Sequence, residues 1–401
     1  MDNTQSIILE EYKTIQIPEN KISDEIGNRL WEKFNERISV VPPSFRNNHH
    51  WELTSLGWVG FLPFSEELNF YLKPKIALQN LFGMWEYAYR LKSIEFLPNM
   101  FQSESLQEFY EQLASILGKR ILDRGRKGFY RAYISRTEDL SFIRGRLDVN
   151  QMINKPWVVK PHCNYQENTA DVIENQVLTW TLNTILRSGY CGNDHVLSTI
   201  RHGYRNISHI TTLQPFTPLD CVGRTYNRLN QDYEPLHALC RFFLENSGPS
   251  YETGDQNMLP FMVNMARLFE LFVAEWLIVH LPEKYQLEKQ ESVKFGQSGD
   301  ISFLIDLVIS NKASGEPLCV LDTKYKAPDS PSQDDIAQIN LYAGLKNCNE
   351  GILVYPELLK YPMNSIVKGV KIRSATFSLD GDLEEAGQRF LAKILPEYEL
   401  I

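Results

Sequence analysis

Six cysteines are scattered over 401 residues, at positions 163, 191, 221, 240, 319 and 348, and no two form a C-x-x-C pair. That spacing leaves no redox motif. Cys191, His195, His202 and His209 give only a weak zinc reading, because structural sites favour closely paired ligands. No secretory segment opens the sequence, which begins Met-Asp-Asn-Thr-Gln-Ser, so reduced thiols and a cytoplasmic location are expected. Long apolar runs are missing too. The longest, from Leu268 to Leu281, is broken by Glu270, Glu275 and His280, well short of the roughly 18 uncharged residues a bilayer span requires, so no membrane crossing is expected. No G-x-x-x-x-G-K-[ST] loop occurs, so any dependence on nucleoside triphosphate hydrolysis must come from a partner. There is no internal repeat and no low-complexity tract. Nor is there a general positive charge: the formal net charge of −9 excludes a protein that is basic all over, although a local basic face can still hold nucleic acid.

What is present fits a folded multidomain protein, since 43% hydrophobic and 12% aromatic residues are too many for a disordered chain. The length calls for two or three domains. Residues 1–115 read as a mixed β domain, with strand-like runs at 57–61 and 69–75 and a helix near 81–91. Residues 116–250 are mainly helical, with Leu106, Phe109, Tyr110, Leu113 and Leu117 at helix spacing just before, a loop-and-strand stretch from Gly118 to Pro161, and a second helical pattern from Val172 to Ile185. The polar, glycine-bearing segment 245–254 marks a boundary. Residues 251–401 then give a helix over 258–280, strands at 301–309, 318–325 and 351–355, and a helix over 332–346, the grammar of a mixed sheet flanked by helices. The class is α+β or α/β, in several domains.

Two of those strands carry the chemistry. If the hairpin joining 301–309 to 318–325 is symmetric about Ser314, Asp306 stands directly opposite Asp322, and Lys324 lies two residues further on the same face. Facing carboxylates inside apolar strands repel one another and are costly to desolvate, so something positive is expected between them. A hard divalent cation with oxygen ligands fits, and Mg²⁺, with Mn²⁺ as a substitute, uses one or two carboxylates and keeps water and phosphate in its other positions. Lys324 would then orient or deprotonate the attacking water, or stabilise charge developing on a phosphodiester. Acid-x-Lys also occurs at Glu11-Tyr12-Lys13 and Glu19-Asn20-Lys21, but only Asp322-Thr323-Lys324 follows an apolar strand and a second buried acid. Glu270, an acid within the apolar helix face 268–273, is a candidate third carboxylate or holder of a ligand water. Gln338 and Tyr342 share one face of the following helix, where they could touch DNA or Lys324.

Asp306, Asp322-x-Lys324, the upstream Glu270 and Gln338-x-x-x-Tyr342 together resemble the PD-(D/E)xK nuclease core, of the branch that carries a Q-x-x-x-Y helix. The stretch Leu321-Asp-Thr-Lys-Tyr-Lys326 is similar to the corresponding segment of the McrC family, nuclease subunits of modification-dependent McrBC restriction systems. The resemblance extends through Gly60, Leu72-Lys-Pro-Lys75, Phe142-Ile-Arg-Gly-Arg-Leu-Asp148, Cys163-x-Tyr165 and Thr169-x-Asp171 with Asn175, and Ile305 stands where the motif usually has proline. It implies a PD-(D/E)xK fold in residues 251–401 and a Mg²⁺-dependent DNA endonuclease. It further implies an McrB-like AAA+ GTPase partner, docked and stimulated by the N-terminal region, and a double-stranded DNA substrate carrying modified bases. Double-strand cleavage would require self-association, because one such site cuts one strand. Two other readings keep the same motif in view: a RecB-like repair nuclease module, and a silent nuclease scaffold that only activates an NTPase.

Between 119 and 146 lie nine Lys or Arg residues against three acids, with Phe129, Tyr130, Tyr133 and Phe142 interleaved. Such a strip can follow a phosphate backbone, with Arg124, Arg126, Lys127 and Arg131 as the DNA-binding candidates. The alternative is that its arginines, Arg144 and Arg146 among them, pair with acids such as Asp148 or Asp171 to fasten domains. Lys73 and Lys75 read as solvated strand-edge charges.

Overall fold

The computed structural model describes residues 5–64, 68–91, 105–155, 157–247, 251–253, 256–258, 260–295, 301–326 and 328–395. The chain is a mixed α/β protein with several sheets. It divides into two compact units, one made of Met1–Glu108 with Gly248–Ile401 and the other of Phe109–Ser247.

The first unit opens with a strand, Gln5–Glu10, that pairs in parallel with Leu68–Lys73; Trp58–Pro63 continues that sheet. A second sheet orders Thr14–Pro18, His50–Ser55 and Ile38–Val41, all antiparallel. Helix Asp24–Phe34 covers it, capped by Ser23 and burying Gly27, Leu30 and Phe34. Trp51 fills the space where a Gly27 side chain would stand and donates its indole N–H to Ile22 O at 3.0 Å. After the middle unit the chain returns to this sheet: Phe261–Asn264 pairs antiparallel with Trp58–Pro63. Gly60, at φ +136°, permits the approach, since a Cβ there would lie 2.1 Å from Phe261 O. The sequence reading extends the following helix back to 258. Instead Phe261, Met262 and Val263 are a buried strand, and Asn264 caps the helix Met265–His280 by accepting from Arg267 N at 3.0 Å.

The rest of this unit is a sheet that orders, among the described residues, Tyr285–Phe295, Ile301–Asn311, Pro317–Thr323, Glu350–Tyr355, Val370–Thr376 and Asn364–Val367. The first three are antiparallel; Pro317–Thr323, Glu350–Tyr355 and Val370–Thr376 run parallel. Helix Gln333–Leu345 supplies the crossover between Pro317–Thr323 and Glu350–Tyr355, and buries Ile339, Tyr342 and Ala343 with Ile305, Val320 and Leu353. Helix Leu383–Ile394 packs its Gly387 on Trp276 of Met265–His280.

The second unit holds helices Ile173–Arg187, Asp194–Ser208 and Tyr233–Asn246, together with most of Leu106–Lys127, and a three-stranded sheet of Ala132–Asp139, His162–Thr169 and Arg146–Leu147. Where the sequence reading places a loop from Gly118, the helix continues to Lys127. Gly118 is a contact there: a Cβ would sit 3.1 Å from Ile200 and Thr199 side-chain carbons, so two helices meet at that residue. Asn175, fully buried, donates to Tyr130 O at 2.8 Å and Ala170 O at 2.7 Å and accepts from the Tyr233 hydroxyl at 2.6 Å. Among the described residues no helix is long and apolar enough to cross a membrane.

Candidate active site

The hairpin that presents the two aspartates is not symmetric throughout. Near its turn Ser310 faces Pro317; a bulge between Ile309 and Ser310 then shifts the register, and Ile309 faces Cys319, Val308 faces Val320 and Leu307 faces Leu321. Carried one residue past Leu307 and Leu321, this register points Asp306 toward Asp322. Continued without it, Asp306 would face Leu321, because a one-residue slip turns every side chain to the other face.

Asp322 is 2% exposed, and Asp306 is half-buried. Asp306 Oδ2 accepts from the Thr323 backbone N–H at 3.2 Å and from the Thr323 hydroxyl at 3.4 Å. Lys324 donates its own backbone N–H to Val354 O at 2.8 Å, which ties it to the next strand. Its ammonium lies 2.8 Å from Asp322 Oδ2 and donates to Gln338 Oε1 at 2.9 Å. Gln338 Nε2 in turn donates to the Tyr342 hydroxyl at 2.8 Å, one helical turn along. The structure therefore brings Asp306, Asp322, Lys324, Gln338 and Tyr342 into one connected group.

Glu270 stands beside them on the helix Met265–His280, largely buried and paired through Oε1 with Arg267 at 2.9 Å. Its charge reaches Asp306. Burial first, then the carboxylates of Asp322 and Glu270, push the Asp306 carboxyl up to about 7. Asp322 is also raised, by burial, with Lys324 opposing the shift. For Lys324 burial works against the charge, but Asp322, Asp335 and Asp306 outweigh it and hold the ammonium above its ordinary value. Lys324 therefore sits as an ammonium among carboxylates, placed to hold an anion or a water.

Asp335 escaped the sequence reading. It is 5% exposed, with Oδ1 at 3.6 Å from the Lys324 ammonium. Its backbone N–H donates to Ser332 Oγ at 3.1 Å while its Oδ2 accepts from Ser332 N at 3.4 Å, a capping box. Ser332-x-x-Asp335 was the available signal. Among the described residues no group of three or more His, Cys, Asp or Glu side chains is close enough to hold a metal ion by itself.

The basic strip belongs to the second unit. Arg124 is mostly buried: it pairs with Asp232 at 3.1 Å, donates to Leu229 O at 3.3 Å and lies over the Tyr233 ring. Arg131 donates to Asn168 at Oδ1 (3.1 Å) and at the backbone O (2.8 Å). Arg126 meets Asp123 at 2.9 Å on the surface, and Lys127 is exposed. Arg144 stacks on Tyr165 and sits 3.9 Å from Glu167, the acid that Arg136 also meets.

A family model described as McrBC 5-methylcytosine restriction system component matches residues 53–356. The Type IV methyl-directed restriction enzyme EcoKMcrBC of Escherichia coli (strain K12) is 23% identical over 273 residues, covering 63% of this chain and 74% of that protein. Among solved structures, a half-complex from a tetradecameric assembly of Thermococcus gammatolerans McrB AAA+ hexamers with bound McrC contains a chain of similar fold. The TM-score is 0.53 at 15% identity, covering 98% of this chain and 100% of that one.

Proposed function

This chain belongs to the family of McrBC 5-methylcytosine restriction system components, and from that premise we propose that it is the DNA-cutting subunit of a modification-dependent restriction system. The observation that carries the reading is the meeting of Asp306, Asp322 and Lys324 at the end of paired strands, with Gln338 and Tyr342 behind the ammonium. The antiparallel strands bearing the two aspartates, followed by a parallel crossover through the helix of Gln338, support a PD-(D/E)xK nuclease fold for residues 251–401.

The donor set suits Mg²⁺ or Mn²⁺: the facing groups are carboxylate oxygens, both raised in proton affinity by burial, and the remaining positions would go to water and substrate phosphate. Asp306 and Asp322 would hold the ion, with Glu270 as third carboxylate or as acceptor from a ligand water. Bound there, the metal would polarise the phosphodiester and acidify water. Lys324 would donate a hydrogen bond to a phosphate oxygen, or orient the attacking water. Gln338 fixes where that ammonium points, and Tyr342 fixes the amide of Gln338.

The chain has no P-loop, so we assign nucleotide hydrolysis to an AAA+ GTPase resembling McrB. Family membership and the likeness of fold to a chain solved with McrB hexamers support that partner. Residues 1–115 would dock on it and stimulate it, and two copies of this chain would meet to cut both strands of DNA bearing modified bases. The test is cleavage of a methylated duplex by the assembly with GTP. Chelation should abolish it, Mg²⁺ or Mn²⁺ should restore it, and Lys324→Ala should lower the rate at least about 100-fold. Metal-independent cutting, or wild-type cutting by the variant, would contradict the assignment.

A further inference from the structure

Tyr325 follows Lys324 directly and is 2% exposed. Its ring packs on Phe269, with centroids 6.0 Å apart, next to Glu270 on the same helix. The hydroxyl is buried with the ring. It donates to Glu11 Oε2 at 3.1 Å, across 314 residues of sequence. Glu11, just past the strand Gln5–Glu10, is likewise 2% exposed. The same oxygen accepts from the backbone N–H of Lys75 at 3.2 Å, just past the neighbouring strand Leu68–Lys73. The Lys75 ammonium lies 5.1 Å from the centre of the Tyr325 ring and 2.8 Å from Glu357 Oε1. Lys75 is exposed, as its strand-edge position suggests, but its ammonium is paired.

A carboxylate and a phenol from distant segments are buried against each other here, and burial pushes the Glu11 carboxyl up despite the donors around it. Apolar residues would fill the same space without that penalty. The geometric consequence lies one residue away. Lys324 has four side-chain torsions, and its ammonium is useful only where it meets Asp322 and Gln338. Fixing the backbone on both sides, through Val354 O at Lys324 and through the clamped side chain of Tyr325, restricts where that side chain can start.

We propose that Glu11 and Lys75 are positioning residues of the cleavage site: by clamping Tyr325 they fix the chain at Lys324 and hold its ammonium over Asp322 and Gln338. This rests on the reading of Asp306, Asp322 and Lys324 as the cutting residues. It also gives the N-terminal sheet a direct mechanical hold on them.

The experiment uses the full assembly with the AAA+ partner, GTP, Mg²⁺ and methylated duplex DNA. Tyr325→Phe keeps the ring packing and removes only the hydroxyl; kcat for cleavage should fall about 10- to 100-fold, while KM for DNA and the partner's GTP hydrolysis stay unchanged. Glu11→Ala should do the same. Glu11→Gln retains an acceptor oxygen and should recover most of the rate; the other oxygen of Glu11 bonds to nothing among the described residues, so an amide nitrogen there displaces no partner. Combining Glu11→Ala with Tyr325→Phe should cost no more than either alone. In the free chain, amide exchange over residues 321–326 should quicken in Tyr325→Phe by more than exchange in the second unit. Asp322→Ala is the reference. If it is inactive while Tyr325→Phe cuts at the wild-type rate, the clamp is wrong and the nuclease reading stands. If Asp322→Ala itself cuts normally, both fall.

Discussion

Asp306 concentrates the electrostatic problem of the site. With its carboxyl pushed up to about 7 by burial and by the neighbouring Asp322 and Glu270, it is substantially protonated at neutral pH when no cation is present. A divalent ion bound there would have to displace that proton. Below about pH 7 the apparent Mg²⁺ affinity should fall by up to about tenfold per pH unit, and well above that pH it should level off. Calorimetric titration of the free chain with Mg²⁺ at pH 6 and pH 8 checks this, together with the proton release expected only at the lower pH. An affinity that ignores pH, or that improves on acidification, would mean that Asp306 does not hold the ion.

At the scale of the element, the helix Leu106–Lys127 separates two roles within one basic strip. Arg124 is held by Asp232, Leu229 and Tyr233, whereas Arg126 and Lys127 reach solvent near the helix end. Arg124→Ala should lower thermal stability. Arg126→Ala with Lys127→Ala should leave stability unchanged and reduce the salt slope of DNA binding by the assembly by up to about 0.9 per lost phosphate contact; an unaltered slope would remove these two residues from the DNA interface. The same elements show what a sequence can and cannot say. Asp306 and Asp322 were legible because a short turn between apolar strands leaves few registers, although the bulge at Ile309 and Ser310, which has no signature of its own, is what sets them opposite each other. Gln338 and Tyr342 were legible from helical spacing. Asp335 was not, because its capping role hides its second contact with Lys324. The pairing of Glu11 and Lys75 with Tyr325 was not legible, since a single polar residue past a strand end carries no periodicity to name a distant partner. The extension of the helix past Gly118 was missed because glycine reads as a breaker unless the partner helix that needs it is known.

At the scale of the whole molecule, one compact unit is built from both ends of the sequence and the other from its middle. The strand Phe261–Asn264 joins Trp58–Pro63 some 200 residues earlier, and the next residues form the helix of Glu270, so the N-terminal sheet and the candidate site share one continuous framework. No local pattern could have shown that pairing, because hydrophobic alternation names a strand but not its neighbour. If cutting resides in Asp306, Asp322 and Lys324 while partner stimulation resides elsewhere on that framework, the two activities separate by a single atom exchange. The decisive measurement is an assembly carrying Asp322→Asn, assayed in one reaction for DNA cleavage and for GTP hydrolysis by the partner. The account predicts cleavage lost and hydrolysis stimulated as by the wild-type chain; cleavage at the wild-type rate would contradict it.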